Sequence, residues 1–252
     1  MSNRKDLNIK KIALVSHNYN VLNRYGHQDF AEHFSQIHHI CDAEGCDTIL
    51  YSLFTWDERS PVSRNHDAFL VGVNNLKCII MEVGSKSSAQ KVVEIWIRDN
   101  ERPHLSEQKF AKSSEPFECK REFIRDIHKR VIGNGLIVIC GESNIANFSP
   151  DTGGFKDPFG FNDILRTMGV KIVFNPLHDY MTRYEMKKKR AYYSLQGRTV
   201  VTVWNQGKRK GEAPIPWTVF HDGKDLTGRV KEIRHNISSR PDIRIGIVPD
   251  IS

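Results

Sequence analysis

Gly135-Leu136-Ile137-Val138-Ile139-Cys140-Gly141-Glu142-Ser143-Asn144 is the stretch whose reading decides the fold. An apolar run of strand length ends at Cys140, and Gly141 lets the backbone turn at once, because glycine carries no Cβ penalty. A thiol therefore stands at the rim of a sheet, beside the Glu142 carboxylate and the polar residues Ser143, Asn144 and Asn147. A cysteine so placed reads either as a small core residue closing a buried run or as a nucleophile carried on a rigid element. The remainder of the chain has to choose.

Upstream, Lys11 to Ser16 reads as a buried first strand, and Phe30, Ala31, Phe34, Ile37, Ile40 and Cys41 recur at helical spacing from Gln28 to Glu44, closed by Gly45. Thr48 to Phe54 is a second strand that opens into a polar loop, Thr55 to Asn65, with Trp56, Asp57 and Glu58 at its mouth. Loops after strand C-termini build the sites of α/β sheets. A short helix is expected near His66 to Val73, then strands at Leu76 to Val83 and Lys91 to Arg98 joined by an exposed loop at Gly84 to Gln90. Asp99 to Lys120 lacks periodicity and reads as a long structured loop carrying Lys109, Lys112, Glu115 and Glu118, a kind of segment that is commonly functional.

Lys120 to Arg130 is predicted helical and Val131 to Cys140 is the central strand. Phe148 to Phe161 is a glycine-containing loop without a phosphate-cradling pattern. Asn162 to Met168 is a helix, Val170 to Phe174 a strand stopped by Asn175-Pro176, Met181 to Gln196 a helix, and Thr199 to Trp204 a strand. Trp217 to His221 and Arg229 to Ile233 are late strands about a turn at Asp222-Gly223. Neither a linker nor a repeat interrupts residues 1–252, which predicts a single domain.

With 252 residues the chain can bury a large core without disulfides or metals. Its five cysteines are odd in number, contain no Cys-x-x-Cys pair and follow no secretory signal, which predicts free thiols and a cytoplasmic location. No apolar run approaches the roughly 18 residues that a membrane helix needs. The net charge of +7 is spread along the chain. Lys187-Lys188-Lys189-Arg190 reads as the wet face of a helix and Lys208-Arg209-Lys210 as an exposed loop, so nucleic acid is not the expected partner. No histidine grouping has zinc spacing, and no metal or cofactor is expected.

The order of these parts resembles the nitrilase, or carbon-nitrogen hydrolase, superfamily. Ile139-Cys140-Gly141-Glu142 is similar to the family's strand-end segment Ile-Cys-(Tyr/Trp)-(Asp/Glu), with glycine replacing the aromatic. Val173-Phe174-Asn175-Pro176, Lys189-Arg190-Ala191, Val203-Trp204-Asn205 and Phe220-His221-Asp222-Gly223 follow in the family's order, so the resemblance spans about residues 11 to 247. It implies an α/β four-layer αββα sandwich and a carbon-nitrogen hydrolase, amidase-like, working through a covalent thioester. It also implies a small amide or nitrile substrate and a homo-oligomer of two or more chains. Carried over by residue, Cys140 is the nucleophile and Lys112 the cation that stabilises the oxyanion.

The family's base lies in a Phe-Pro-Glu run at the end of the second strand, but here Tyr51-Ser52-Leu53 puts leucine in that place. Asp57, Glu58 and Glu115 are the carboxylates left to replace it. Glu142, Asn144, His178 and Asp179 are expected to contact substrate, with Asp179 as a helix N-cap the alternative for that residue. Leu53 also opens a different reading, in which a catalytically silent chain of the same fold serves as a ligand-sensing or assembly subunit.

Overall fold

Short Val- and Ile-rich runs bounded by turn formers hide both faces only if something packs on each side, and that requirement sets the architecture. A computed structural model of the protein describes residues 6–28, 30–57, 72–84, 91–98, 100, 102–178, 183–207, 213–237 and 239–250. In chain order the strands are β1 (Ile12–Ser16), β2 (Thr48–Tyr51), β3 (Cys78–Val83), β4 (Val92–Ile97), β5 (His104–Glu107), β6 (Val131–Ile132), β7 (Gly135–Ile137) and β8 (Asn147–Ser149). They continue with β9 (Gly154–Lys156), β10 (Ile172–Pro176), β11 (Thr199–Val203), β12 (Trp217–His221), β13 (Lys224–Asp225), β14 (Lys231–Ile233) and β15 (Arg244–Ile247). The helices are α1 (Phe34–Ala43), α2 (Phe117–Arg125), α3 (Phe161–Thr167) and α4 (Tyr184–Tyr193).

One sheet runs β14-β15-β1-β2-β3-β4-β5 and the other β13-β12-β11-β10-β7-β6, with β8 and β9 as a separate hairpin. At the centre of the first, β1, β2 and β3 are parallel, and at the centre of the second so are β7, β10 and β11. Alternating side chains divide each strand between two cores, as the two-residue period requires. Ile12, Leu14, Leu50, Ile80 and Ile95 meet Ile137, Phe174, Val201 and Val219 between the sheets. Ala13, Val15, Ile49 and Met81 turn outward beneath Phe34, Ile37 and Cys41 of α1. Leu136, Val173 and Val200 turn outward beneath Phe123, Leu165 and Tyr193 of the other helices. The result is helix, sheet, sheet, helix: the four-layer αββα sandwich.

Several local expectations are corrected. Val131 to Cys140 is not one strand; Gly133, at φ +56°, and Asn134 fold it into the β6-β7 hairpin. The presumed loop after Asp99 contains β5, paired antiparallel to β4, and the start of α2. Only Ser106 of β5 is buried, so no apolar alternation marked this edge strand. Pro176 belongs to β10 and lies opposite Val203, where a terminal position tolerates the missing N–H. β15 was not foreseen, yet it fills the place between β1 and β14. The turn at Asp222-Gly223 joins β12 to β13, whereas β14 crosses to the other sheet. Of the basic run on α4, Lys187 and Lys188 are exposed while Lys189 and Arg190 are buried. Lys208 to Lys210, and most of the expected helix at 66–73 and loop at 84–90, lie outside the described residues. Among the described residues no helix is long and apolar enough to cross a membrane.

Candidate active site

Beyond β7 the chain stays extended to Ile139 and then breaks at Cys140, whose φ of 45° is a left-handed value that costs a non-glycine residue energy. Residues Cys140–Ile145 coil into a 3-10 turn. Gly141 has to be glycine for a packing reason: a Cβ there would overlap the backbone carbonyl of Ala111, which belongs to the 109–112 loop lying across the turn. Gly141→Ala is therefore expected to push this loop off the turn, lowering stability by about 1–3 kcal/mol and slowing alkylation of Cys140. Thermal melts and thiol labelling measure both.

Buried polar groups hold the strained turn. Glu142 is fully buried and accepts the Ile139 N–H at 2.8 Å and the Lys109 N–H at 2.6 Å. Arg130 forks onto the same carboxylate at 2.6 and 2.9 Å. Burial pushes the Glu142 carboxyl above its ordinary range, while Arg130 and the two backbone donors pull the other way. Asn175, at the end of β10, donates to the Val138 carbonyl at 2.6 Å and to that of Cys140 at 3.2 Å. Ser143 donates to the Cys140 carbonyl at 3.2 Å. Glu142 thus sits in the interior as a positioning group, in place of the substrate contact expected of it.

His178 follows β10 and turns toward the thiol. Its Nε2 lies 2.8 Å from Oε1 of Glu82, and Cys140 is near enough to act on the ring's charge. Glu82 stands on β3, only 1% exposed, and its other oxygen accepts the Phe54 N–H at 2.5 Å. Phe54 itself has a φ of 62° and packs its ring 4.5 Å from that of His178. Burial pulls the imidazole toward its neutral form, but Cys140 and Glu82 outweigh it and raise the ring to about 9. Glu82, Cys140 and His178 come from the C-terminal ends of β3, β7 and β10, the end of a parallel sheet where sites form.

Glu82 is the member of this cluster that sequence reading missed. A usable signal was present, since Cys78-Ile-Ile-Met-Glu-Val83 is an otherwise apolar strand, and a carboxylate buried in one requires a partner. Leu53, which the sequence resemblance sets where a base would stand, is buried between the sheets.

The other expected residues scatter around this line. Lys112 is exposed on the loop that crosses Gly141, and its ammonium enters no ion pair among the described residues. Glu115 caps that loop by accepting the N–H groups of Ala111 at 3.1 Å and Lys112 at 3.3 Å. Asn144 ties the loop to α4, donating to the Ala111 carbonyl at 3.0 Å and accepting from Lys189 Nζ at 2.6 Å. Asp57 is buried and lines a cavity of about 220 Å³ with His27, Gln28 and Phe54. Glu58 and Asp179 lie outside the described residues. All five cysteines are free; Cys41, Cys46 and Cys78 are buried, and burial pushes the Cys46 thiol up to about 12. Among the described residues no group of three or more His, Cys, Asp or Glu is disposed to hold a metal ion.

The layers and their strand order define a nitrilase-type, carbon-nitrogen hydrolase fold. It is shared with the carbon-nitrogen hydrolase from Helicobacter pylori G27, to which the chain is similar with a TM-score of 0.52 and 9% identity over 99% of its own length and 91% of the other's. It is likewise similar to the glutamine-dependent NAD(+) synthetase from Cytophaga hutchinsonii, with a TM-score of 0.51 and 10% identity over 96% of this chain, which spans only 43% of that one. No protein-family model and no curated protein matches the sequence.

Proposed function

We propose that the protein is a thiol-dependent hydrolase of a carbon-nitrogen bond in a small amide or nitrile, with Cys140 as nucleophile, His178 as proton carrier and Glu82 as the group that orients the ring. The observation that carries this reading is the buried Glu82–His178 pair standing beside Cys140, whose thiol is carried on a strained turn. An imidazolium beside a cysteine favours departure of the thiol proton and leaves the sulfur nucleophilic. On an amide, the sulfur bonds to the carbonyl carbon and the C=O electrons move to oxygen. The C–N bond then breaks as the nitrogen takes the His178 proton, leaving a thioester. Neutral His178 next draws a proton from water as its oxygen attacks the thioester, and the acid departs with the thiolate-imidazolium pair restored.

Lys112 is the oxyanion-stabilising cation in this reading, because the preceding residue packs directly on Gly141. In this reading the base role falls to His178, while Glu115 caps the loop. A homo-oligomer in a reducing cytoplasm suits the fold resemblance and the free thiols. The rival, a silent subunit, rests on Leu53 standing where the family's glutamate does.

Iodoacetamide at neutral pH separates the two. Peptide mass mapping is expected to find Cys140 modified at least about tenfold faster than Cys119, the other partly exposed thiol, and Cys140→Ala to abolish hydrolysis across a panel of small amides. Equal labelling of Cys119 and Cys140, or hydrolysis that survives Cys140→Ala, would overturn the reading.

A further inference from the structure

A cavity of about 850 Å³ opens at the pole opposite Cys140, where β1, β10 and β11 begin and β12 and β15 end. Asn134, on its wall, lies six positions before Cys140 along a largely extended chain, or about 20 Å at about 3.3 Å per residue. The cavity is therefore distinct from the thiol site.

Its floor is apolar: Ile9, Ile172 and Val248 belong to the seam between the sheets and Ile247 to the layer beneath α1, and all four are buried. Its rim is cationic, with five lysine and arginine side chains against the carboxylates of Glu44 and Asp250. Two of the five are engaged, Lys231 with the Glu44 carboxylate at 2.9 Å and Lys11 with the Glu44 carbonyl at 2.5 Å. Lys10, Lys171 and Arg229 enter no ion pair among the described residues, and all three are exposed. They arrive from three distant segments, so the charge is concentrated by the fold and was invisible as a run in the sequence. Positive charge around a cleft with low-dielectric walls focuses its field on whatever enters.

We propose that this cavity binds an amphipathic organic anion of nucleotide size. Its flat or apolar body rests on Ile172, Ile247 and Val248, and its phosphate or carboxylate groups meet Lys10, Lys171 and Arg229. The volume falls in the roughly 300–1,000 Å³ range of small-molecule sites. An apolar floor favours such a ligand over a bare inorganic ion, and the Arg229 guanidinium offers the two parallel donors that match a phosphate or carboxylate edge.

Isothermal titration of the full chain at low ionic strength tests this with four probes: ATP, adenosine, inorganic triphosphate and 1-naphthoate. Either ATP or 1-naphthoate is expected to bind one to one, and the stronger of them tells a phosphate ligand from a carboxylate ligand. Adenosine and inorganic triphosphate, each lacking half of the recognised chemistry, are expected to bind at least about tenfold more weakly than the preferred probe. Lys171→Glu with Arg229→Glu is expected to weaken that probe at least about tenfold, with the labelling rate of Cys140 unchanged. Should the double reversal fail to fold, Lys171→Gln and Arg229→Gln, each at an exposed site, are expected to weaken it singly. The proposal is overturned if neither amphipathic anion binds, if inorganic triphosphate matches the better of them, or if the charge changes leave affinity untouched.

Discussion

Glu82→Gln is expected to lower kcat/KM on any amide the protein hydrolyses by about 10²–10⁴-fold, the range over which a positioned acid-base group contributes. Glutamine keeps the shape and still accepts the Phe54 N–H, so the fold should survive; what it loses is the charge facing His178 Nε2 at 2.8 Å. With its one oxygen held by the Phe54 N–H, the amide turns its NH₂ to that nitrogen. That donor neither lets the nitrogen keep its proton nor stabilises the cation that forms during catalysis. The loss should appear in kcat more than in KM, because in the proposed mechanism Glu82 acts on the substrate only through His178. A Glu82→Gln variant with full activity would remove His178 from the mechanism.

The same contact makes stability depend on pH. His178 is raised to about 9 in the folded protein, against 6.5 as its ordinary value, by Cys140 and Glu82. The folded state therefore holds the proton more tightly than the unfolded chain does. Its contribution, at about 1.4 kcal/mol per unit, is fully present below about pH 6.5. It declines as pH rises and is gone above about pH 9. Denaturant melts between pH 6 and 10 should show this decline in the wild-type protein and a smaller one in Glu82→Gln. A decline of equal size in both would assign it to another group.

Cys140 was legible because its signal is local: an aliphatic run, a glycine and a polar cluster occupy ten consecutive residues. The four layers were legible only through the resemblance carried by the order of the motifs; the apolar runs of β1, β7, β10 and β11 by themselves imply strands buried on both faces. Glu82 and His178 are 96 residues apart and approach each other only because β3 and β10 lie in facing sheets, a relation no local window contains. β5 escaped because His-Leu-Ser-Glu buries one side chain, and β15 because Arg-Ile-Gly-Ile is too short to declare a period. Lys189 looked like a solvated lysine; its ammonium instead reaches Asn144, and burial lowers it to about 8. A charge run states how many cations there are, whereas helix packing decides which of them are wet.

Arg130→Met is expected to cost about 3–5 kcal/mol, the penalty for leaving one member of a buried ion pair unpaired. For a chain of this length that lowers Tm by about 6–20 °C, at about 2–4 °C per kcal/mol. Methionine fills the place of the arginine stem but gives up the guanidinium that lies 4.9 Å from the Phe123 ring centroid. The Glu142 carboxylate, fully enclosed, is left with only the Ile139 and Lys109 N–H donors. Adding Glu142→Gln should recover roughly half of the loss: it removes the stranded charge but provides one carbonyl oxygen where the backbone donors had two. The labelling rate of Cys140 should fall in the single variant and partly return in the double, because the left-handed backbone at the thiol persists only while its surroundings enforce it. If Arg130→Met costs less than about 1 kcal/mol and labelling is unchanged, the turn is held by Asn175 and Ser143, and the buried pair has no part in presenting the thiol.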